Sequence, residues 1–413
     1  MNEKKLVITG MGACTPIGIG VQSYWKSLIG GTCGIGPITR FDASALPVRI
    51  AAEVRGFDAA EYMPKALART TAPFMQFAYA AAEEALLESG LSVPKEPERV
   101  GIVMGTAMAG AGTVAQMQER FGEGGAHRVG AHFIPMVLGN VAAAQIAIAH
   151  GIRGPSLTLN TACSAGGDAI FTASMLLRAG EAEAVLAVGG ESILCPVIVA
   201  GLSQAKALSR RNDDPLHACR PFDTGRDGFV IGEGGGALVI ETEEHARARG
   251  AEILALLAGC ANTEDAHHVT APSPHGEGAA SCMRRALAHA DMQPADIGYI
   301  NAHGTSTPLG DRAESLAVNS VFGGPEAAPP VSSTKGATGH LMGAGGLTEV
   351  IACIQAVREG ILPPTLNLGD PDPECALNHI PNRAKQAEIH AAMSNTLGFG
   401  GQNSSIIVAR YPE

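Results

Sequence analysis

Short apolar runs recur along the chain at Leu6–Thr9, Val100–Met104, Leu157–Leu159, Ala184–Val188, Gly236–Ile240, Ile253–Leu257, Ile297–Ile300, Val331–Ser333 and Ser405–Val408. Several are continuous rather than alternating, the pattern of strands covered on both faces by helices. Between them lie helical stretches: Ala72–Ser89, Val141–His150, Ala165–Ala179, Gly278–Ala290, Asp311–Val321 and Leu347–Glu359. This alternation of strand and helix predicts an α/β fold.

The two halves of the chain share an order of signals. Val100–Gly105 and its glycine-rich turn pair with Ile297–Gly304, Leu157–Ala165 with Val331–Gly339, and Ala184–Gly190 with Ser394–Gly401. The period is about half the chain, longer than solenoid repeats. It predicts a duplicated α/β unit: an N-terminal half over residues 1–250 and a C-terminal half over 251–413. The Gly- and Pro-rich segments Gly323–Pro330 and Leu362–Pro373 read as surface connections.

Composition narrows the class. Of 413 residues, 46% are hydrophobic and 17% charged, which excludes disorder as the main state. Aromatics are scarce at 4% and glycines number 52, so the core must be built from small and β-branched side chains. The formal net charge of -11 argues against nucleic acid as a partner. Nine cysteines, an odd number with no C-x-x-C pair, fit neither a disulfide framework nor a zinc finger. His267, His268 and His275 do not make a metal-ligand spacing, and no metal is expected. Residues 1–10 lack a signal-peptide core, and no run approaches the roughly 18 apolar residues of a membrane span. A soluble cytoplasmic protein without membrane association is expected.

Three segments carry chemistry. In Leu157-Thr158-Leu159-Asn160-Thr161-Ala162-Cys163-Ser164-Ala165 a strand ends, a short turn follows, and a helix runs to Gly180. Cys163 therefore stands near a helix N-terminus, where partial positive charge and free N–H groups favour the thiolate, the reactive form. A serine-hydrolase elbow is excluded, because Ala162 occupies the place of its first glycine. Asn301-Ala302-His303-Gly304-Thr305-Ser306-Thr307 and Lys335-Gly336-Ala337-Thr338-Gly339-His340 each follow a strand and set a histidine in a Gly/Thr-rich loop. Such loops at strand carboxyl ends are where α/β sheets hold their sites.

Thr161-Ala162-Cys163-Ser164, the segments around His303 and His340, and Gly398-Phe399-Gly400-Gly401 resemble, in order, the signatures of the elongating β-ketoacyl-ACP synthases. The resemblance covers the whole chain. It implies a thiolase-like five-layer αβαβα sandwich of two duplicated halves, a homodimer, and acyl carrier protein as partner. Cofactors are not expected, since the acyl-ACP and malonyl-ACP substrates bring their own phosphopantetheine. It implies Cys163 as the acyl-carrying nucleophile, with the N–H groups of Cys163 and Phe399 as its oxyanion hole and Phe399 as a gate. His303 and His340 would stabilise the malonyl enolate. A buried Lys335–Glu349 pair would order the site, with Asp311 and Glu314 as supporting acids. Thr270, Thr305 and Thr307 match pantetheine-contacting positions, Gly400 a substrate-binding one, and Met108 the acyl channel. Lys65, Arg69, Lys206, Arg210 and Arg211 are candidate docking charges for an acidic carrier.

Departures from the family pattern stand at Gln402, Ala107–Ala109 and Ser192–Val199, and they leave a type II polyketide or polyene ketosynthase as the alternative. A degradative thiolase would place a second cysteine within Gly398–Gln402, and an initiating synthase would carry Asn in place of His340. A non-catalytic chain-length subunit would lack Cys163.

Overall fold

The computed structural model describes residues 4–412; Met1–Glu3, part of the segment read above for a leader, lie outside the described residues. Its framework strands are β1 (Leu6–Thr15), β2 (Val100–Gly105), β3 (Ser156–Leu159), β4 (Ala184–Glu191), β5 (Gly234–Thr242), β6 (Ala255–Glu264), β7 (Tyr299–Asn301), β8 (Val331–Ser332), β9 (Ala391–Leu397) and β10 (Gln402–Ala409). The principal helices are α1 (Pro73–Ser89), α2 (Gly139–His150), α3 (Ala165–Ala179), α4 (Glu277–Ala290), α5 (Pro308–Phe322) and α6 (Gly345–Glu359).

Strand order runs β3-β2-β4-β5-β1 and continues as β6-β10-β9-β7-β8. In the first set β2 pairs in parallel with β3 and β4, while β4–β5 and β5–β1 are antiparallel. The second set repeats this: β7 is parallel to β8 and β9, and β9–β10 and β10–β6 are antiparallel. The two sets meet where Val7 faces Leu256 and Ile8 faces Ala255. An identical order and sense on both sides is what a duplicated unit produces.

Three apolar cores separate five layers. Phe74, Ala78 and Ala82 of α1 and Ile146 of α2 pack on Ile102, Met104, Leu186 and Val188. Neighbouring strand residues Val103, Val185 and Ala187 point the other way, as a period of two requires. They meet Ala169, Ile170 and Ala173 of α3 and Val350, Ile351 and Ile354 of α6, which also contact Ile406 on the second sheet. Ala280 and Met283 of α4 and Ala317 and Val318 of α5 close its outer face against Ile300, Met393 and Ile407. Strands covered on both faces explain the unbroken apolar runs.

The central pair α3 and α6 positions the site. A Cβ on Gly346 would lie 2.6 Å from the Gly167 nitrogen, and one on Gly166 would lie 2.9 Å from the Gly343 oxygen. Only hydrogen at these positions lets the two N-terminal ends touch. The turn before α3 carries Cys163 and the segment before α6 carries His340, so this contact brings chemistry from both halves together.

One expectation fails. Leu362–Pro373 is not a surface connection along its length: Leu362, Thr365, Leu366 and Leu368 are buried. Thr365 Oγ1 accepts from the Ser333 N–H at 3.0 Å, so the segment threads beneath the His340 loop. Its Pro and Gly residues break regular structure without placing it outside. Among the described residues no helix is long and apolar enough to cross a membrane.

Candidate active site

Cys163 sits in a single 3-10 turn, Ala162–Ser164, between β3 and α3. Ala162 has φ +51°, a left-handed conformation that a non-glycine residue holds only when its surroundings fix it. Gly398 approaches from the C-terminal half: a Cβ there would lie 3.1 Å from the Thr161 oxygen. The Phe399 backbone N–H reaches the Cys163 sulfur.

The expected thiolate is corrected by the environment. Cys163 is buried, and burial pushes its thiol up to about 12, against the opposing pull of Lys335 and the Phe399 N–H. Desolvation of the anion outweighs the nearby positive charge. The thiol is thus the resting form, and proton loss has to accompany attack.

His303 and His340 stand with ring centroids 5.3 Å apart and planes nearly perpendicular at 86°. His340 Nδ1 accepts from the Met342 N–H at 3.3 Å, which puts the ring proton on Nε2. That Nε2 is buried without a hydrogen-bond partner, as is His303 Nδ1. Both rings border one cavity, so these two nitrogens are the unpaired polar atoms nearest the thiol that a ligand there could engage. Burial first, and then the charge of Lys335, hold both histidines well below their ordinary value. Both are neutral at pH 7, and His340 presents an N–H donor.

The scaffold behind the rings is ionic. Lys335 Nζ donates to Glu349 Oε1 in a fully buried pair, and burial raises Glu349 against the pull of Lys335. Glu314 accepts from the N–H groups of His303 and Gly304, both at 2.7 Å. Asp311 accepts from Phe222 at 2.8 Å and Ser306 at 3.1 Å, two residues with φ of +67° and +72°. These acids are clamps on the His303 loop, not solvated helix-end charges. Burial pushes Glu314 up to about 7 and Asp311 up to about 6.

A cavity of about 410 Å³ is lined by Cys163, His303, His340, Phe399, Thr270, Thr305, Thr307, Lys206, Phe229, Leu309 and Met342 among others. It gathers the nucleophile, both histidines, Phe399, the three threonines and Lys206 from the residues singled out in the sequence, while Lys335, Glu349, Asp311 and Glu314 stand outside the lining. Phe229 packs edge-on against His340 at 5.2 Å. Gly400 lies just beyond the lining, with φ +97° and open space where a Cβ would go. Met108 also lies outside the lining and is 41% exposed, its N–H bound to the buried Glu191 carboxylate at 3.2 Å. Lys65 and Arg69 line a different groove of about 760 Å³, beside Arg40 and Arg55. Arg210 is exposed, whereas Arg211 donates to the Gly225 oxygen at 2.7 Å.

Two residues that sequence reading passes over hold the site's backbone. Glu191 accepts from Ala107 at 2.5 Å and Gly343 at 3.3 Å, tying the loop after β2 to the segment after His340. Asp168 accepts from residues on both sides of Cys163. An acid inside an apolar, small-residue stretch was the available signal for both.

Comparison with known proteins places the chain in a family. The beta-ketoacyl synthase N-terminal domain model matches residues 3–246, and the C-terminal domain model matches 254–369. A 3-oxoacyl-[acyl-carrier-protein] synthase 2 from Synechocystis is 42% identical over 412 residues, covering 100% of this chain and 99% of that protein. Its namesake from Vibrio harveyi is 41% identical, covering 100% of both. Among solved structures, the ishigamide ketosynthase/chain length factor has a TM-score of 0.91 at 32% identity, covering 99% of this chain and 100% of that one. A type II polyketide ketosynthase solved with its acyl-carrier protein and a bound hexaketide (AntDE:AntF) also has a TM-score of 0.91, at 30% identity and full coverage of both chains. With both domain models matched in order and relatives of this closeness along its full length, the chain belongs to the beta-ketoacyl synthase family.

Proposed function

We propose that this chain is an elongating β-ketoacyl-ACP synthase that condenses an acyl group held on Cys163 with malonyl-ACP. The observation that carries this is one cavity bordered by a thiol and two imidazoles, with a buried unpartnered nitrogen on each ring.

In the first half-reaction the Cys163 sulfur attacks the acyl-ACP thioester. A C–S bond to Cys163 forms, the C–S bond to the carrier breaks, and the carrier thiol leaves with the proton. Backbone N–H groups of Cys163 and Phe399 face the developing oxyanion. In the second, malonyl-ACP enters and its C–CO2 bond breaks. The electron pair becomes an enolate whose oxygen is held by His303 and His340. The carbanion attacks the acyl carbon, a C–C bond forms, and the Cys163 thiolate departs and regains a proton. Lys335 serves throughout as fixed positive charge: it favours the thiolate and disfavours imidazolium. Glu349 neutralises it, and Asp311 and Glu314 shape the His303 loop.

The carrier arm would pass Thr270, Thr305 and Thr307 with Lys206 at the mouth, and Gly400 would let Phe399 swing as a gate. Met108 would border the acyl channel, and Lys65, Arg69 and Arg210 would steer the acidic carrier. The reading includes a homodimer in the cytoplasm and no resident cofactor. It divides the chain into halves 1–250, with the nucleophile, and 251–413, with both histidines. The repeated strand order supports that division. The structural similarity to type II polyketide ketosynthases favours a second reading, in which the same chemistry serves such a pathway. The test is a panel of acyl-ACPs of graded length offered with malonyl-ACP. Formation of β-ketoacyl-ACP and CO2 is expected, and no product with any chain length contradicts the reading.

A pH prediction follows from the neutral histidines. Their folded values lie below 6.5, so between pH 8 and 6.5 the rings stay unprotonated and CO2 release shows no loss centred on 6.5. Below 6.5 the unfolded chain binds the protons first, so this contribution to stability falls with pH. A histidine-type inflection at 6.5 in the decarboxylation rate contradicts the assignment.

A further inference from the structure

Asp168 lies on the first turn of α3 and has no part in the chemistry above. It is buried, and its carboxylate is fully engaged. Oδ2 accepts from Thr161 Oγ1 at 2.6 Å and shares the Ser164 hydroxyl proton, at 2.8 Å, with the Thr161 carbonyl oxygen. Oδ1 accepts from Asn262 Nδ2 at 2.7 Å. Thr161 and Ser164 are the residues on either side of Ala162–Cys163, so one carboxylate oxygen ties both ends of the nucleophile turn. Asn262 belongs to β6, the first strand of the other half, so the second oxygen ties that turn to the half supplying the histidines.

The turn needs this. Ala162 at φ +51° is held in a left-handed conformation that crowds its Cβ against the backbone. Such a residue relaxes unless neighbouring contacts over-determine it. The small residues around it, Ala162, Ala165 and Gly166, have no side-chain polar atoms to fix the backbone. The polar groups that can do so are the Thr161 and Ser164 hydroxyls, and both converge on Asp168. Burial raises the Asp168 carboxyl above its ordinary value, and the hydroxyl and amide donors pull against that.

The geometry points to Asp168 as a positioning residue whose carboxylate straps the strained turn and aims the Cys163 sulfur into the cavity. This rests on the reading of Cys163 as the acyl acceptor. A strap acts on the orientation of the sulfur and leaves the carrier's binding surface alone. Its loss therefore slows acyl transfer at saturation without changing half-saturation.

The experiment measures single-turnover transfer of a labelled acyl group from acyl-ACP to the full-length chain over a range of carrier concentrations. Asp168→Ala is expected to lower the saturating rate on the order of tenfold or more, with half-saturation unchanged. Asp168→Asn is expected to stay within about threefold of the parent. Its amide oxygen still accepts both hydroxyls, and the Asn262 amide can turn to accept from the new N–H. A parental rate in Asp168→Ala, an Asn variant as slow as the Ala variant, or a rise in half-saturation equal to the rate loss each overturns the strap. If Asp168→Ala does not fold, the isosteric Thr161→Val carries the test: a reduced saturating rate is expected, and a parental rate overturns the proposal. A parent chain that takes up no acyl group refutes the nucleophile reading itself, and the strap falls with it.

Discussion

Cys163→Ala is expected to abolish condensation and leave the chain folded. The sulfur is the atom that carries the acyl group between the two half-reactions, and no neighbouring side chain can replace it. Ser164, the adjacent nucleophile type, has its hydroxyl between the Thr161 oxygen and Asp168, both at 2.8 Å. Losses on removing a nucleophile reach about 10⁴–10⁶-fold. The stability change is small by comparison. One buried sulfur is lost, the helix behind it keeps its packing, and about 1 kcal/mol is expected. Product assay beside a thermal melt checks both parts. Normal turnover in a folded Cys163→Ala protein removes Cys163 from the mechanism.

His303→Ala is expected to separate the half-reactions. Acylation of Cys163 should remain largely intact, because the oxyanion donors for that step are backbone N–H groups. Release of CO2 from malonyl-ACP should fall by about 10²–10³-fold, the usual cost of one oxyanion donor. The rings are neutral, so they stabilise charge as donors and do not arrive already paired with an anion. His303 Nδ1 is also buried without a partner. The loop should survive the substitution, since Glu314 holds it by the backbone N–H groups of residues 303 and 304. Trapping the acyl-enzyme and measuring CO2 in parallel distinguishes this outcome from a general loss. Unaffected CO2 release contradicts the role assigned to His303.

How much of this is legible in the sequence depends on how local each signal is. The turn at Cys163 is legible because strand, small residues, helix and terminating Gly180 follow one another within one segment. The His303 and His340 loops are legible for the same reason. The duplication shows in the order of those segments. What is not legible comes from contacts between distant residues. Asp168 meets Asn262 across 94 positions, and Glu191 meets Gly343 across 152. Nothing near either acid in sequence announces its partner. The apolar pattern also predicts no strand at Ala391–Leu397 in its own right, since Ser394, Asn395 and Thr396 interrupt it. Of these, Asn395 pairs across the sheet, its Oδ1 accepting from Ser405 Oγ at 2.8 Å, while the Ser394 and Thr396 hydroxyls are buried without a partner. Helix Ala111–Gly124 is likewise silent, because it buries only Thr113 and Met117 and so lacks an apolar stripe. The buried course of Leu362–Leu368 is invisible for the opposite reason: turn-forming residues signal a change of direction, not exposure.

The central claim is that one sulfur and two imidazoles from opposite halves of the chain serve a single thioester. The most direct measurement incubates the protein with radiolabelled acyl-ACP, maps the label by peptide, and then adds malonyl-ACP. The expected result is label on the peptide containing Cys163, lost on addition of malonyl-ACP as labelled β-ketoacyl-ACP appears with CO2. Absence of label, or equal label on a Cys163→Ala protein, would contradict it.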